Sequence, residues 1–312
     1  MDRIPREKNR IIESLKEKVL DCPKCGSRTL ECKDRLYTVR CSWSRCKART
    51  SFFTESIFSK ARVDIEIFLK VLDYWLLKMK VGMISRLLLI SRNAVKRIIS
   101  VSFKKAVPEY YQKLPKIGGI DKIVEVDESK FGKRKYNRGR RVEGVWVLGF
   151  YERKGPIILL PVETRDALTL KRHLKKYIDS DSKVYSDCWR GYIWCREYFN
   201  EHFTVNHSRE FVNRETNCHT NGIEGSWSAI KATIPKQSRT KVRIMPYLVR
   251  YMLLKNESGD TLHNLVSYLL YFFFFFAASR KEIKILGAIF PLLFFYSGFG
   301  PNNGPDTYLD YC

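Results

Sequence analysis

KIVEVDESKFG, residues 122–132, is the stretch on which the fold turns. Ile123, Val124 and Val126 are β-branched and Gly132 closes the run, so the segment is expected to be a strand with Asp127 near its end. EGVWVLGFYERKGPIILLPVE (143–163) adds two strands joined at a turn over Arg153–Pro156, where Gly155 and Pro156 stand together. DALTLKRHLKKYI (166–178) has the spacing of a helix, and KVYSDCWRGY (183–192) of a short strand that ends at Asp187 before a second helix. EHFTVNHS (201–208) is a further strand, and HTNGIEGSWSAIK (219–231) a further helix.

Three antiparallel strands followed by helix, strand, helix, strand and helix is the order of an RNase H-like fold: an α/β mixed sheet flanked by helices. The order alone leaves function open. The placement of the acids narrows it. Asp127 and Asp187 would end strands that lie side by side, and Glu224 would approach from the last helix. A strand-end Asp is more often a turn or cap residue, but three acids in this order are harder to explain that way. Hard oxygen ligands converging from three elements suit Mg²⁺. Two such ions, about 3.5–4 Å apart, activate an attacking oxygen and stabilise a leaving one on a phosphodiester. Lys231 lies seven residues after Glu224, on the same helical face, where it can touch a phosphate. Trp227, between them, is expected to pack into the core rather than stack on a base.

The charge agrees with such a substrate. The 312 residues hold 57 Lys and Arg against 33 Asp and Glu, a net +24, which favours a polyanionic partner, nucleic acid ahead of an acidic membrane surface. KFGKRKYNRGRR (130–141) has seven basic residues in twelve and no acid: Lys130, Lys133, Arg134, Lys135, Arg138, Arg140 and Arg141. It is expected to form the loop beside Asp127 and to bind phosphate, since clustered cations gain from counterion release; Tyr136 can add base stacking. A merely solvated loop is the competing reading. Upstream, ARVDIEIFLKVLDYWLLKMK (61–80) and ISRNAVKRIISVSFKKAV (90–107) are helical patterns. Ser91 is placed to cap the second, with Val95, Ile98 and Ile99 inward and Arg92, Asn93, Lys96 and Arg97 outward. This resembles a helix-turn-helix, whose second helix reads base edges; a helical bundle with a solvated basic face fits the same pattern.

Five of the nine cysteines, Cys22, Cys25, Cys32, Cys41 and Cys46, crowd near the N-terminus. Cys22-Pro-Lys-Cys25 and Cys41-Ser-Trp-Ser-Arg-Cys46 offer two thiol pairs separated by 15 residues, enough for a small hairpin, as in a zinc ribbon. Four thiolates leave no open position, so the expected Zn²⁺ is structural. Cys32 is the spare. The charged start MDRIPREKNR has no secretory h-region, and location in a nucleus, or in the cytoplasm or nucleoid of a bacterium, is expected. The expected organisation is a basic helix (1–20), a zinc ribbon (21–58), a helical DNA-binding segment (59–116), the RNase H-like domain (117–255) and a hydrophobic tail (256–312). The tail contains five consecutive Phe, and its apolar stretches over about 265–278 and 285–299 are each shorter than the ~20 residues that cross a bilayer. A membrane hairpin, a buried helix pair and an appendage of little function are its three readings, the last preferred.

VEVDESKFGKRKYNRGRRVEGVWVLG (124–149), VYSDCWRGY (184–192) and HTNGIEGSWSAIK closely resemble the DDE transposases of one group of bacterial insertion sequences and their eukaryotic relatives, the Merlin transposons. The resemblance spans about residues 20–255, while PYLVRYMLLKNESGDTLHNLVSYLL (246–270) matches only loosely. It implies Mg²⁺- or Mn²⁺-dependent cleavage and strand transfer at transposon ends. It also implies double-stranded DNA as partner, both ends and target, a homo-oligomer on that DNA, and no small-molecule substrate. Asp127 and Asp187 then correspond to the first two catalytic acids. The third is Glu224 or Asn221, with Glu224 preferred because Lys231 follows at the spacing of the acidic form. A catalytically dead or domesticated DNA-binding copy, and a nuclease that hydrolyses without joining strands, are the competing functions.

Overall fold

The computed structural model describes residues 3–33, 37–54, 56–60, 63–132, 144–206, 209 and 211–270. They divide into two compact units: one from Tyr110 to Thr261, the other from residues up to Glu109 together with those from Leu262 onward.

The first unit begins with helix α1 (Arg3–Lys16), whose apolar stripe buries Ile4, Ile11 and Leu15. Strands β1 (Thr29–Glu31), β2 (Thr38–Cys41) and β3 (Arg49–Ser51) form an antiparallel sheet in chain order. Helix α2 (Ile65–Leu76) starts at Asp64, whose carboxylate accepts from the Glu66 N–H at 2.7 Å, and buries Phe68, Leu69, Leu72, Trp75 and Leu76. Helices α3 (Val81–Leu87) and α4 (Arg92–Lys113) follow. The Ser91 hydroxyl accepts from the Ala94 N–H at 3.1 Å, which is the expected cap. Val95, Ile98 and Ile99 are buried, and Arg92, Asn93, Lys96 and Arg97 are exposed, as the pattern predicts.

The chain after residue 256 is not simply an appendage. Residues 261–270 are helical and bury Leu262, Leu265, Val266, Leu269 and Leu270. Arg10 of α1 donates to the Ser267 hydroxyl at 2.8 Å and to the His263 carbonyl at 3.3 Å, while the buried Glu7 lies 2.9 Å from His263 Nδ1. The five-Phe run and everything after it lie outside the described residues. No helix among the described residues is long and apolar enough to cross a membrane.

The second unit is built on a five-stranded sheet. Strands β4 (Ile123–Phe131), β5 (Val145–Glu152), β6 (Ile157–Val162), β7 (Lys183–Asp187) and β8 (Glu201–Val205) lie in the order β6-β5-β4-β7-β8. The first three are antiparallel, and β7 and β8 add in parallel on the far side of β4. This is the RNase H-like arrangement expected from the element order. Helix α5 (Ala167–Tyr177), capped by Asp166 through the Thr169 N–H at 2.9 Å, packs Tyr177 on Phe150 of β5. A short helix α6 (Cys195–Tyr198) precedes β8. Helix α7 (Asn221–Thr233) lies across β4 and β5, with Ile223, Trp227 and Ile230 buried. Helix α8 (Lys241–Asn256) ends where Asn256 accepts from the Ile157 N–H at 2.8 Å and donates to the Ile157 carbonyl at 2.7 Å, extending the hydrogen bonding of edge strand β6.

Candidate active site

A strand alternates its side chains, so β4 sends two sets of acids to opposite faces of the sheet. Glu125 and Asp127 face α7, and Glu128 faces the other way, toward Tyr192. Asp127 is not at the end of β4, which pairs with β5 as far as Phe131. It is at the end as seen from β7. The β4–β7 ladder pairs Ile123 with Lys183, Val124 with Val184 and Glu125 with Tyr185, then stops. Continued in register, it brings Asp127 level with Asp187, just past the last rung. The carboxyl ends of adjacent parallel strands where the sheet changes direction form a crevice that suits a ligand.

Asp127 Oδ1 accepts from the Glu128 N–H at 2.8 Å, and Oδ2 accepts from the Trp227 indole N–H at 2.9 Å. Burial pushes its pKa up to about 6, the charges of Asp187 and Glu224 push the same way, and the two hydrogen bonds oppose them. Asp187 Oδ1 accepts from the Trp189 N–H at 3.0 Å. Glu224, half-buried in the first turn of α7, accepts from the Thr220 hydroxyl at 3.1 Å. Asn221 opens the same helix and is exposed. Lys231 holds its ammonium 5.4 Å from the centre of the Phe131 ring. Asp187 and Glu224 are thus each near enough to Asp127 for their charges to bear on it. Among the described residues, however, only four cysteines place three or more ligand atoms all within 4.8 Å of each other.

Trp227 packs into the core, as expected, and it also holds Asp127. The rung that makes this possible is Asp127–Gly149 of the β4–β5 ladder. A Cβ on Gly149 would lie 2.6 and 2.7 Å from two carbons of the Trp227 ring, so only glycine leaves the slot the indole fills.

Several residues escaped the sequence reading. Glu125 is buried, accepts from Arg153 Nε at 2.8 Å and from the Ile223 N–H at 2.9 Å, and so ties β4 to α7. Arg153 also donates to the His219 carbonyl at 2.9 Å. Burial first, then the Arg153 charge, push the His219 imidazole below its usual range. On the opposite face Glu128 accepts from the Tyr192 hydroxyl; burial pushes its pKa up to about 7, with Asp127 and Asp187 adding to the rise against that bond. Arg165 lies over Trp146 and Trp189, its guanidinium carbon 4.5 and 5.1 Å from their ring centres. Two further acids within a β-branched run were the available signal, since a strand buried on both faces has no solvent to offer them.

In the N-terminal unit the Cys22, Cys25, Cys41 and Cys46 sulfurs all lie within 4.8 Å of one another, with Cys22–Cys46 at 3.8 Å and Cys25–Cys41 at 3.4 Å. A tetrahedron with Zn–S bonds of about 2.3 Å has edges of about 3.8 Å, so the four thiols fit zinc. Gly26, at φ 75°, turns the first pair by returning its N–H to the Cys22 carbonyl at 2.9 Å. The Trp43 N–H donates to Cys41 Sγ at 3.3 Å, and the Ser27 hydroxyl and N–H hold the Cys25 thiol down to about 6. Cys32 stands outside the cluster.

Of the basic run, Lys130 lies on β4 with its ammonium 5.4 Å from the Trp146 ring centre. Lys133, Arg134, Lys135, Arg138, Arg140 and Arg141 lie outside the described residues.

The chain matches the family of the ISXO2-like transposase domain over residues 118–253, the span that holds Asp127, Asp187 and Glu224. No curated protein matches it. Among solved structures it is similar to a Mos1 transposase paired-end complex with left transposon end, at 13% identity over 68% of this chain and 76% of that one, with a TM-score of 0.28. It is also similar to a pre-cleavage Mos1 transpososome, at 12% identity over 67% and 77%, with a TM-score of 0.18. Residues 118–253 of this chain are a DDE-type transposase domain of the ISXO2-like kind.

Proposed function

We propose that this protein cleaves and joins DNA strands at transposon ends, with Asp127, Asp187 and Glu224 holding divalent cations. The observation that carries the reading is that the charges of Asp187 and Glu224 both bear on the buried Asp127. Two of the three acids stand level at the carboxyl ends of adjacent parallel strands, a third comes over them from α7, and the charges of the other two help push Asp127 up to about 6. A buried carboxylate raised by neighbouring acids, as Asp127 is, is what a Mg²⁺ or Mn²⁺ ion relieves. Such ions, a pair in this chemistry, would activate the attacking oxygen and stabilise the leaving one.

The chain's own residues supply the rest. Trp227 and the Glu128 N–H orient Asp127, the Trp189 N–H orients Asp187, and Lys231 lies two turns along α7 from Glu224 for a DNA phosphate. The nucleophiles are water for cleavage and a DNA 3′-hydroxyl for joining, with no covalent protein intermediate. Glu224 is the third ligand rather than Asn221, because its charge reaches Asp127 and a carboxylate holds a divalent ion better than a neutral amide. Double-stranded DNA is gripped by the run from Lys130 to Arg141 and by Arg92, Asn93, Lys96 and Arg97, and the active form is a homo-oligomer on DNA.

The test is cleavage of a labelled duplex carrying the repeats that border the gene, with Mg²⁺ and with a gel-shift control. Glu224→Gln should abolish cleavage and leave DNA binding nearly intact, Asn221→Ala should weaken cleavage only modestly, and Lys231→Ala should mainly reduce productive binding. An active Glu224→Gln beside a dead Asn221→Ala would make Asn221 the ligand. Binding without cleavage by the unmutated chain would mark a domesticated copy, and cleavage without strand-transfer products a nuclease.

A further inference from the structure

Glu125 is a carboxylate with 1% of its surface exposed, on the strand that carries Asp127. A buried charge is tolerated only where it is paired and hydrogen-bonded. Both of its oxygens are engaged, and both engagements lead to α7. Oε2 accepts from the N–H of Ile223, one of the first-turn donors that a helix cannot satisfy internally. Thr220, at the usual capping position, makes no side-chain cap bond, so the capping acceptor comes from a residue 98 positions away. The negative charge also faces the positive end of the helix dipole. Oε1 holds Arg153, which stacks 4.7 Å over Tyr185 and reaches the carbonyl of His219, two residues before the helix. Gly222 completes the fit: a Cβ there would lie 2.4 Å from a Tyr151 ring carbon and 2.9 Å from Glu125 Oε2.

The first turn of α7 is thus held against β4 at the residue immediately before Glu224, from a point two residues before Asp127. We infer that Glu125 is a positioning residue that sets the separation of Glu224 from Asp127, and through it the affinity of the site for a divalent cation. The inference rests on the reading that these acids hold the metal. A merely structural cap would change stability and leave metal affinity alone.

The full-length, zinc-loaded chain is titrated with Mn²⁺, following free Mn²⁺ by electron paramagnetic resonance, beside thermal unfolding and a gel shift, both without added Mg²⁺ or Mn²⁺. Glu125→Gln keeps an acceptor for the Ile223 N–H but loses the charge that holds Arg153. Its Mn²⁺ dissociation constant should rise about 10- to 100-fold, the usual cost of losing a group that orients a ligand. DNA binding should be unchanged, and cleavage should recover at high Mn²⁺. Gly222→Ala pushes the same turn away with Glu125 intact and should weaken Mn²⁺ in the same direction; it decides the matter if Glu125→Gln does not fold. Unmutated Mn²⁺ affinity in the folded variants, with only a lowered Tm, overturns the positioning role. If the unmutated chain and Asp127→Asn bind Mn²⁺ alike, the metal reading itself fails and the inference falls with it.

Discussion

At the scale of single residues, Asp127 is costly to keep charged. Asp127 is raised to about 6, so the folded chain holds that proton more tightly than the unfolded chain does. Its contribution to stability is therefore present below about pH 4 and is lost as pH rises through about 6. Asp127→Asn, which removes the charge, should leave the Tm unchanged at pH 4 and raise it at pH 7.5, by about 2–4 °C for each kcal/mol relieved. Differential scanning calorimetry of the zinc-loaded chain without added Mg²⁺ or Mn²⁺ at the two pH values is the measurement, and an equal shift at both would remove the charge explanation. Asp127, Asp187 and Glu224 stand out in the sequence because the first two fall in strand patterns and the third in the first turn of a helix pattern. Glu125 and Glu128 were not legible, because their roles depend on which face of a two-sided strand meets α7, and a strand pattern does not carry that information. Trp227 was legible as a core residue by size and spacing, but its bond to Asp127 depends on Gly149, 78 positions earlier in the chain and on another strand.

Among the elements, the two cysteine turns and the helix caps follow from local chemistry, which is why they could be read in advance. The thiol pairs belong to short turns on a three-stranded sheet with strands of only three or four residues. So little sheet buries little apolar surface, and a zinc ion held by the four thiols would supply much of the folding energy. Metal analysis should find about one zinc per chain, and Cys41→Ser should unfold residues 21–58 while the β4–β8 sheet persists, as read by hydrogen exchange. A folded module without zinc would refute this. The end of β4 was misplaced because the sequence shows where a strand's apolar run stops but not which neighbour stops pairing first. The burial of the helix over 261–270 was one of three readings rather than the preferred one, because five apolar residues look the same in a low-complexity tail as in a packed helix, until Arg10 and Glu7 of α1 appear beside them.

At the scale of the whole molecule, the excess of positive charge predicts the thermodynamics of DNA binding. Neutralising Lys133, Arg134, Lys135, Arg140 and Arg141 together should flatten the slope of log affinity against log salt, by about 0.9 for each phosphate that the variant no longer neutralises. Fluorescence anisotropy over a salt series measures it, and an unaltered slope would place the DNA-gripping cations elsewhere. Element order made the sheet topology legible, whereas the joining of residues 261–270 to the N-terminal unit depended on packing between opposite ends of the chain. The β4–β7 register has a consequence for synthesis. Asp127 and Asp187 are 60 positions apart, and the indole that steadies Asp127 is 100 positions from it. Pairings this remote along the chain form only after long loops have closed. A ribosome that has delivered residues through Thr220 has released both strand acids but none of α7, so neither the third carboxylate nor the tryptophan brace yet exists. A chain that stops before Glu224 therefore carries Asp127 and Asp187 without the acid and the indole that α7 brings to them.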